Sequence, residues 1–444
     1  MKLDERRLHD ALFDALKDVE SYRGFTSFTY NLLSQGTYAT TLRMTLSYPD
    51  RPRNKVIVKW YPSEPSTRLD EPTHALFNQI DNLLNAEVRN RYALETIEAN
   101  KIIPFVIGKS SNYRLLVIEP VGRKTAKKNF LDLINITGYD GTNSSLPAGF
   151  IQILDNAFEL LAPLLGMCSS HFDHLVDSHP HYQSDAELKQ RQWANNSYER
   201  IRRLVFRVHG EKGTGKLNSL GSVEKFMEDK KVEETLSDLL QIRNSFQQPT
   251  GFHHGDFNLS QIIGTYLMDF ELFGIYDETR DFSSCLIVAG LKDSAGILLS
   301  REYQHLVDHY LASIHLASSY DDYDSAKRSL RRSHLEPDFL HELALRRFSG
   351  DLGKYSQFTA NTWNGAIDEL LKLGAAYDRR QFLQGSHSVD YGSICEGALK
   401  GLSSIFSLPE VEPQILDKCP DREVRNDYFG LFKRSLKALE LPGF

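Results

Sequence analysis

The spacing of apolar residues changes along this chain, and that change limits the folds open to it. Between residues 25 and 60 the runs FTSFTYNLL, YATTLRMTLS and KVIVKW are rich in strand formers, and SQG and YPDRPRN interrupt them. Runs of this kind between turn-forming clusters predict strands joined by short turns. HALFNQIDNLLNAEVRNRYALETIEAN then reads as a helix, and IIPFVIG and YRLLVIEPV as two further strands. Ahead of them Leu8, Leu12, Leu16 and Val19 recur at helical spacing, which predicts an amphipathic helix. Pro120 and Gly122 interrupt the last strand, and the basic stretch after them reads as a hinge. From about residue 150 the pattern is helical except at 251–270, where GFHHGDF, QIIG and YLMDF are short apolar runs. The expected fold class is α+β: a small, mostly antiparallel sheet lobe over 1–122 and a large helical lobe over 123–444. The second lobe is expected to hold a chemistry-bearing segment at 251–290, an insertion at 176–245 and a helical extension at 291–444.

The length of 444 residues exceeds one average domain, which fits two lobes. A net charge of −7 argues against a surface that coats nucleic acid, while leaving room for a local basic pocket. Cys168, Cys285, Cys395 and Cys419 form no CxxC pair, which suits a reducing cytoplasm and offers no zinc pattern. Acids and bases interrupt the first twenty residues throughout, unlike a signal peptide. No apolar run stands out at transmembrane length, so no membrane partner is expected.

The chemistry concentrates in HHGDFNLSQIIG (253–264) and the MDFE that follows it. Phosphoryl transfer needs a carboxylate to orient and deprotonate a hydroxyl, oxygen ligands for Mg²⁺, a cation on the phosphates and a loop over them. Asp256 follows Gly255, which permits a tight backbone path. Gln261 comes five residues later, and Asp269 ends the apolar run YLM. An amide oxygen and a carboxylate are ligands that Mg²⁺ accepts. Lys59 ends KVIVK, so it belongs to a strand, and Glu87 on the following helix can pair with it. Ser34 and Gly36, in SQGTY, form a turn that can cover phosphates.

This order of strands, Lys, helix Glu, hinge, HGD, DF and a late Asp resembles the aminoglycoside phosphotransferase and choline kinase superfamily. The family pattern is H-G-D-x-x-x-x-N, an apolar strand, D-F/W-E/G, then an aspartate before a helix. Here it runs His254-Gly255-Asp256, Gln261, Asp269-Phe270-Glu271 and Asp281, and the resemblance covers roughly 30–122 and 250–290. It implies a bilobal, protein-kinase-like fold, with Asp256 as catalytic base and Gln261 and Asp269 as metal ligands. It implies that Lys59 contacts the α- and β-phosphates with Glu87 as its partner, and that Ser34 and Gly36 cover the phosphates. The backbone from Glu119 to Val121 would meet the adenine, and Asp281 would brace the catalytic loop. The implied cofactors are ATP or GTP with Mg²⁺, and the implied partner is a small-molecule hydroxyl.

Two positions depart from the pattern. Gln261 stands where most members have Asn, keeping the amide oxygen on a longer stem. The maltokinase-like and glucosamine-kinase-like branches are similar in carrying this Gln before D-F-E, which points to a sugar or amino sugar acceptor. An aminoglycoside or choline-type acceptor is the next reading, and a nucleotide-binding pseudokinase the reading from another class. The covering turn has a single glycine, Gly36. Three other stretches invite other chemistry. GEKGTGKL (210–217) lacks the Ser or Thr of a P-loop after its Lys and reads as a turn between helices. HFDHLVDSHPHY (171–182) pairs His171 with His174 but offers no third ligand group, and reads as a polar loop. YDDYD (320–324) reads as a solvated link between helices.

Overall fold

The computed structural model describes residues 4–35, 39–61, 73–98, 101–122, 124–137, 146–183, 250–286, 301–332, 336–355, 357–359 and 361–362. Gly36, the 210–217 stretch, the expected insertion from 184 onward and the expected extension at 291–300 and beyond 362 lie outside the described residues. The architecture is mixed α+β, with a region of antiparallel strands and a larger region of helices. The chain divides into two compact units, Met1–Ala126 with Ser260–Phe273, and Lys127–Leu259 with Gly274–Phe444.

The first unit holds a five-stranded sheet built from β1 (Ser27–Gln35), β2 (Thr40–Ser47), β3 (Asn54–Trp60), β4 (Val106–Ser110) and β5 (Leu115–Ile118). Their order is β1-β2-β3-β5-β4, and every neighbouring pair is antiparallel. Side chains alternate along a strand, so β2 buries Leu42, Met44 and Leu46 on one face. The central β3 is buried on both faces, with Val56 and Val58 on one and Ile57 on the other. Each face therefore needs a cover. Helix α1 (Glu5–Leu16) covers one with Leu8, Leu12 and Leu16, its amino end capped by the Asp4 carboxylate. It approaches β4 so closely that only Gly108 fits against the Ala15 carbonyl. Val19 lies beyond the end of this helix. The other face packs against Leu84 and Val88 of α2 (Thr73–Glu95) and against Ile263 and Met268.

Ile263 lies in, and Met268 just after, a small hairpin of β7 (Ile262–Ile263) and β8 (Tyr266–Leu267), which explains a departure from the sequence reading. Residues 251–290 were expected together in the helical lobe, with the boundary at 122. The structure gives 260–273 to the sheet unit, because the hairpin's apolar residues complete that unit's core. A main-chain bond from Leu267 N to Ile102 O (2.7 Å) and a bridge between Thr125 and Ile263 fasten it there.

The second unit comprises α3 (Ala126–Thr137), α4 (Ala148–Ser170), α5 (Phe172–Ser178), the two-stranded pair β6 (Gly251–His253) and β9 (Gly274–Tyr276), α6 (Arg280–Leu286), α7 (Tyr303–Ala317), α8 (Tyr323–Arg332) and α9 (Pro337–Arg347). Phe158, Phe282, Tyr310 and Phe358 form an aromatic core among them. Gly166 lets α4 meet the end of α7, since a methyl group there would sit 2.7 Å from the Ala317 carbonyl carbon. By length and composition α4 could cross a membrane, although no such run was expected; 67% of its most apolar window is buried in the protein. The 171–182 stretch, expected as a loop, is largely the helix α5, with Leu175 and Val176 buried. In the 320–324 stretch Tyr320 to Asp322 are exposed, and the Asp322 carboxylate accepts from Ser325 N at the start of α8.

Candidate functional site

The sheet unit gathers one group of charged residues. Lys59 reaches this group from β3, with its side chain 10% exposed, and pairs with Asp269 and with Glu271 Oε2 (2.8 Å). The Tyr61 hydroxyl donates to the same Glu271 oxygen at 3.0 Å. Burial alone would pull the Lys59 pKa down, but Tyr61, Glu87 and Glu271 outweigh it and hold the ammonium charged well above its ordinary range. Glu87, on α2, is buried and accepts two bonds from Arg91, at 2.8 and 2.7 Å. Arg91 in turn donates to Pro104 O (2.7 Å), which fixes α2 against the strand approach that follows it. The carboxylates of Glu87, Asp269 and Glu271 offer oxygens within 4.8 Å of one another. An all-oxygen donor set of this kind suits a hard cation such as Mg²⁺.

Local backbone explains why Asp269 faces this group. It sits at φ 66 and ψ 62, a left-handed conformation uncommon outside glycine but tolerated by Asp. Met268 N donates to Gln261 O (2.8 Å), closing the hairpin just before it. The turn after it, 270–272, is held by Asn90, whose side-chain amide donates to Phe270 O (2.7 Å) and Phe273 O (3.3 Å). Backbone strain kept in place by its surroundings is a pattern of functional sites. Asn90, Arg91, Tyr61 and Glu271 were not singled out from sequence as site residues. The helical repeat that places Asn90 and Arg91 beside Glu87 was the available signal.

The remaining predicted nucleotide contacts stand as follows. Ser34 lies at the end of β1, paired in the sheet with Thr41. Glu119 donates its N–H to Phe105 O (2.9 Å), and its side chain accepts from Phe105 N (3.0 Å), so it ties the sheet edge. Val121 is buried in the core beneath α2, and Gly122 O accepts from the Arg43 guanidinium.

The helical unit builds a second group around the HGD turn. Gly255 has φ 85, which only glycine adopts freely, and brings Asp256 to a partly buried position. Asp281, at the start of α6, is fully buried; its two carboxylate oxygens accept from His254 N (2.8 Å) and Gly255 N (2.9 Å). These bonds fix the backbone of His254 and Gly255. Arg280 Nε donates to Gly255 O (2.8 Å), so the turn is fixed through both its N–H and its C=O. Burial would raise the Asp281 pKa, but bonding and charge from His253 and His254 hold it below the ordinary carboxylate range. His253, which sequence gave no role, is buried with Nδ1 3.4 Å from Asp281. Asp277 is pushed the other way by burial, against its bonds to Thr279.

The histidines at 171 and 174 do not come together as a metal group. The His171 ring bonds to Met167 O (3.0 Å) at the end of α4, and His174 is exposed. Compared with models of known protein families the chain matches none, and no curated protein sequence matches it.

Proposed function

We propose that this protein is a small-molecule kinase that transfers the γ-phosphate of ATP to a hydroxyl group of a sugar or amino sugar. The observation that carries the reading is the brace on the HGD turn, where Asp281 and Arg280 hold the backbone of His254 and Gly255 just before Asp256. The buried Lys59 with its acidic partners supports it from the other unit. In the proposed reaction the acceptor oxygen attacks the γ-phosphorus, and its proton passes to the Asp256 carboxylate. A new O–P bond forms, the bond to the bridging oxygen breaks, and ADP leaves. Lys59 is the cation for the phosphates, and Glu87 helps to keep it charged. Asp269 and Gln261 would hold Mg²⁺, which when bound offsets charge on the phosphate oxygens. On this reading the fold is bilobal and protein-kinase-like. The protein works in a reducing cytoplasm, as its free buried thiols Cys168 and Cys285 suit. An aminoglycoside or choline-type acceptor is the alternative within the class.

A second reading, a nucleotide-binding scaffold without turnover, draws on Lys59 being tied to Asp269, the proposed metal ligand. One experiment separates them. The pure protein is incubated with Mg-ATP and a panel of sugars, amino sugars, aminoglycosides and choline, and products are weighed by mass spectrometry. The kinase reading expects one added phosphate, with Asp256→Asn lowering turnover on the order of 10²–10⁴-fold. ATP binding without product across the panel supports the scaffold, and a nucleotide-sized mass gain overturns phosphoryl transfer.

A further inference from the structure

Inside the helical unit, α4 and α7 face each other with matching polar pairs. His305 and His309 stand one turn apart on α7, so their rings leave the same helix face. Asp155 and Glu159 have the same spacing on α4. His305 Nε2 is 3.1 Å from Asp155 Oδ2, His309 Nδ1 is 3.7 Å from Asp155 Oδ1, and His309 Nε2 is 3.5 Å from Glu159 Oε1. Donor atoms of Asp155, His305 and His309 all lie within 4.8 Å of one another. For a tetrahedral Zn²⁺ with bonds of about 2.0–2.2 Å, neighbouring donors are roughly 3.3–3.6 Å apart. The two separations between proposed ligands, 3.1 Å for His305 with Asp155 and 3.7 Å for His309 with Asp155, straddle that range.

An ordinary ion pair between His305 and Asp155 explains only part of this. Asp155 Oδ1 and His309 Nε2 are buried and lack a hydrogen-bond partner, in residues that are 9% and 4% exposed. Buried polar atoms in native proteins are nearly always satisfied by protein, water or an ion. Here the open Asp155 oxygen belongs to a residue whose donors converge, and the open His309 nitrogen is on the far side of its ring, 3.5 Å from Glu159 Oε1. The neighbouring Asp308 is not a competitor for the place, since Tyr355 and His341 engage its carboxylate. Two imidazoles with a carboxylate select a borderline transition metal over Mg²⁺ or Ca²⁺.

We propose that Asp155, His305 and His309 form a divalent transition-metal site, best matched to Zn²⁺, that clips α4 to α7. Glu159 serves as a positioning residue at the far nitrogen of the His309 ring, the arrangement by which carboxylates orient metal-bound imidazoles. The site lies wholly within the helical unit and does not depend on the kinase reading. Its ligand set was invisible to a search along the sequence, because Asp155 and His305 are 150 residues apart.

The test uses the full-length protein, stripped of metal by chelation and then titrated with Zn²⁺ by calorimetry and with Co²⁺ by visible absorption. The expected result is one equivalent of Zn²⁺ per chain and a Co²⁺ d–d spectrum of a nitrogen-containing, four-coordinate site. His305→Ala and His309→Ala each abolish the spectrum, and Glu159→Gln weakens binding by about 10–100-fold. Asp269→Asn keeps both signals, which separates this site from the carboxylate group around Lys59. Should the buried His309 variant fail to fold, the partly exposed His305 decides, with circular dichroism confirming its fold. Absence of stoichiometric binding in the unmodified protein, or binding that survives His305→Ala, overturns the proposal.

Discussion

Asp281 carries a charge where no water can reach it, so its stability depends on the donors around it. Two backbone N–H groups and His253 supply them. A carboxyl whose pKa is lower in the folded than in the unfolded state stabilises the fold above the unfolded value of about 3.9. That stabilisation is lost as the pH falls through the lower folded value. Asp281→Asn keeps one acceptor but turns an NH₂ toward a backbone N–H. Breaking a buried, hydrogen-bonded charge network in this way costs about 3–5 kcal/mol. We expect urea unfolding to show that deficit at neutral pH and to show it shrinking below about pH 4. Asp277, raised by burial, contributes with the opposite sign, so the difference between variant and parent is the informative curve. A deficit that stays constant across pH would sink this account of Asp281.

Among the elements, those with strong apolar periodicity were legible before the structure. The five strands, α1 and α2 form where alternation or helical spacing places them, because each has one clear face to bury. The short segments were harder. The hairpin of β7 and β8 has only two residues per strand, too few to show a period, and its place in the sheet unit follows from tertiary contacts, those of Ile263 and Met268 among them. The residues of the candidate site followed the same divide. Lys59, Asp256 and Asp269 are adjacent to recognisable spacing, whereas Asn90, Arg91 and the Asp155–His305–His309 group become neighbours only through packing. Helix packing also explains a glycine that no pattern in the sequence marks. Gly166→Ala would place a methyl 2.7 Å from the Ala317 carbonyl carbon and 2.9 Å from its oxygen. Backbone at a helix end cannot swing aside as a side chain can, so α4 and α7 must separate. Overpacking of this kind costs about 1–3 kcal/mol. Thermal unfolding of the variant should therefore begin earlier than that of the parent, and an unchanged midpoint would mean that the two helices yield without cost.

At the scale of the whole molecule the chain leaves the sheet unit at Ala126, returns at Ser260 and leaves again at Phe273. The sheet unit is thus incomplete in any continuous stretch of sequence. Residues 1–126 alone lack Ile263 and Met268 from the core beneath α2, and Lys59 loses Asp269 and Glu271. Asn90 loses the Phe270 and Phe273 carbonyl acceptors as well. Fully burying a side chain of that size contributes about 1.5–3 kcal/mol, while an entire domain holds only about 5–15 kcal/mol of net stability. The missing fourteen residues, 260–273, therefore carry a large share of what keeps the sheet unit folded. We expect a fragment of residues 1–126 to bind a hydrophobic dye and to melt without a cooperative transition. The same fragment joined by a flexible linker to 260–273 should regain dispersed amide resonances and a single transition. If residues 1–126 alone gave a well-dispersed spectrum and a sharp melt, the hairpin would be a passenger on the sheet rather than part of its core. The grouping of Lys59 with Asp269 would then not be something that folding of this unit requires.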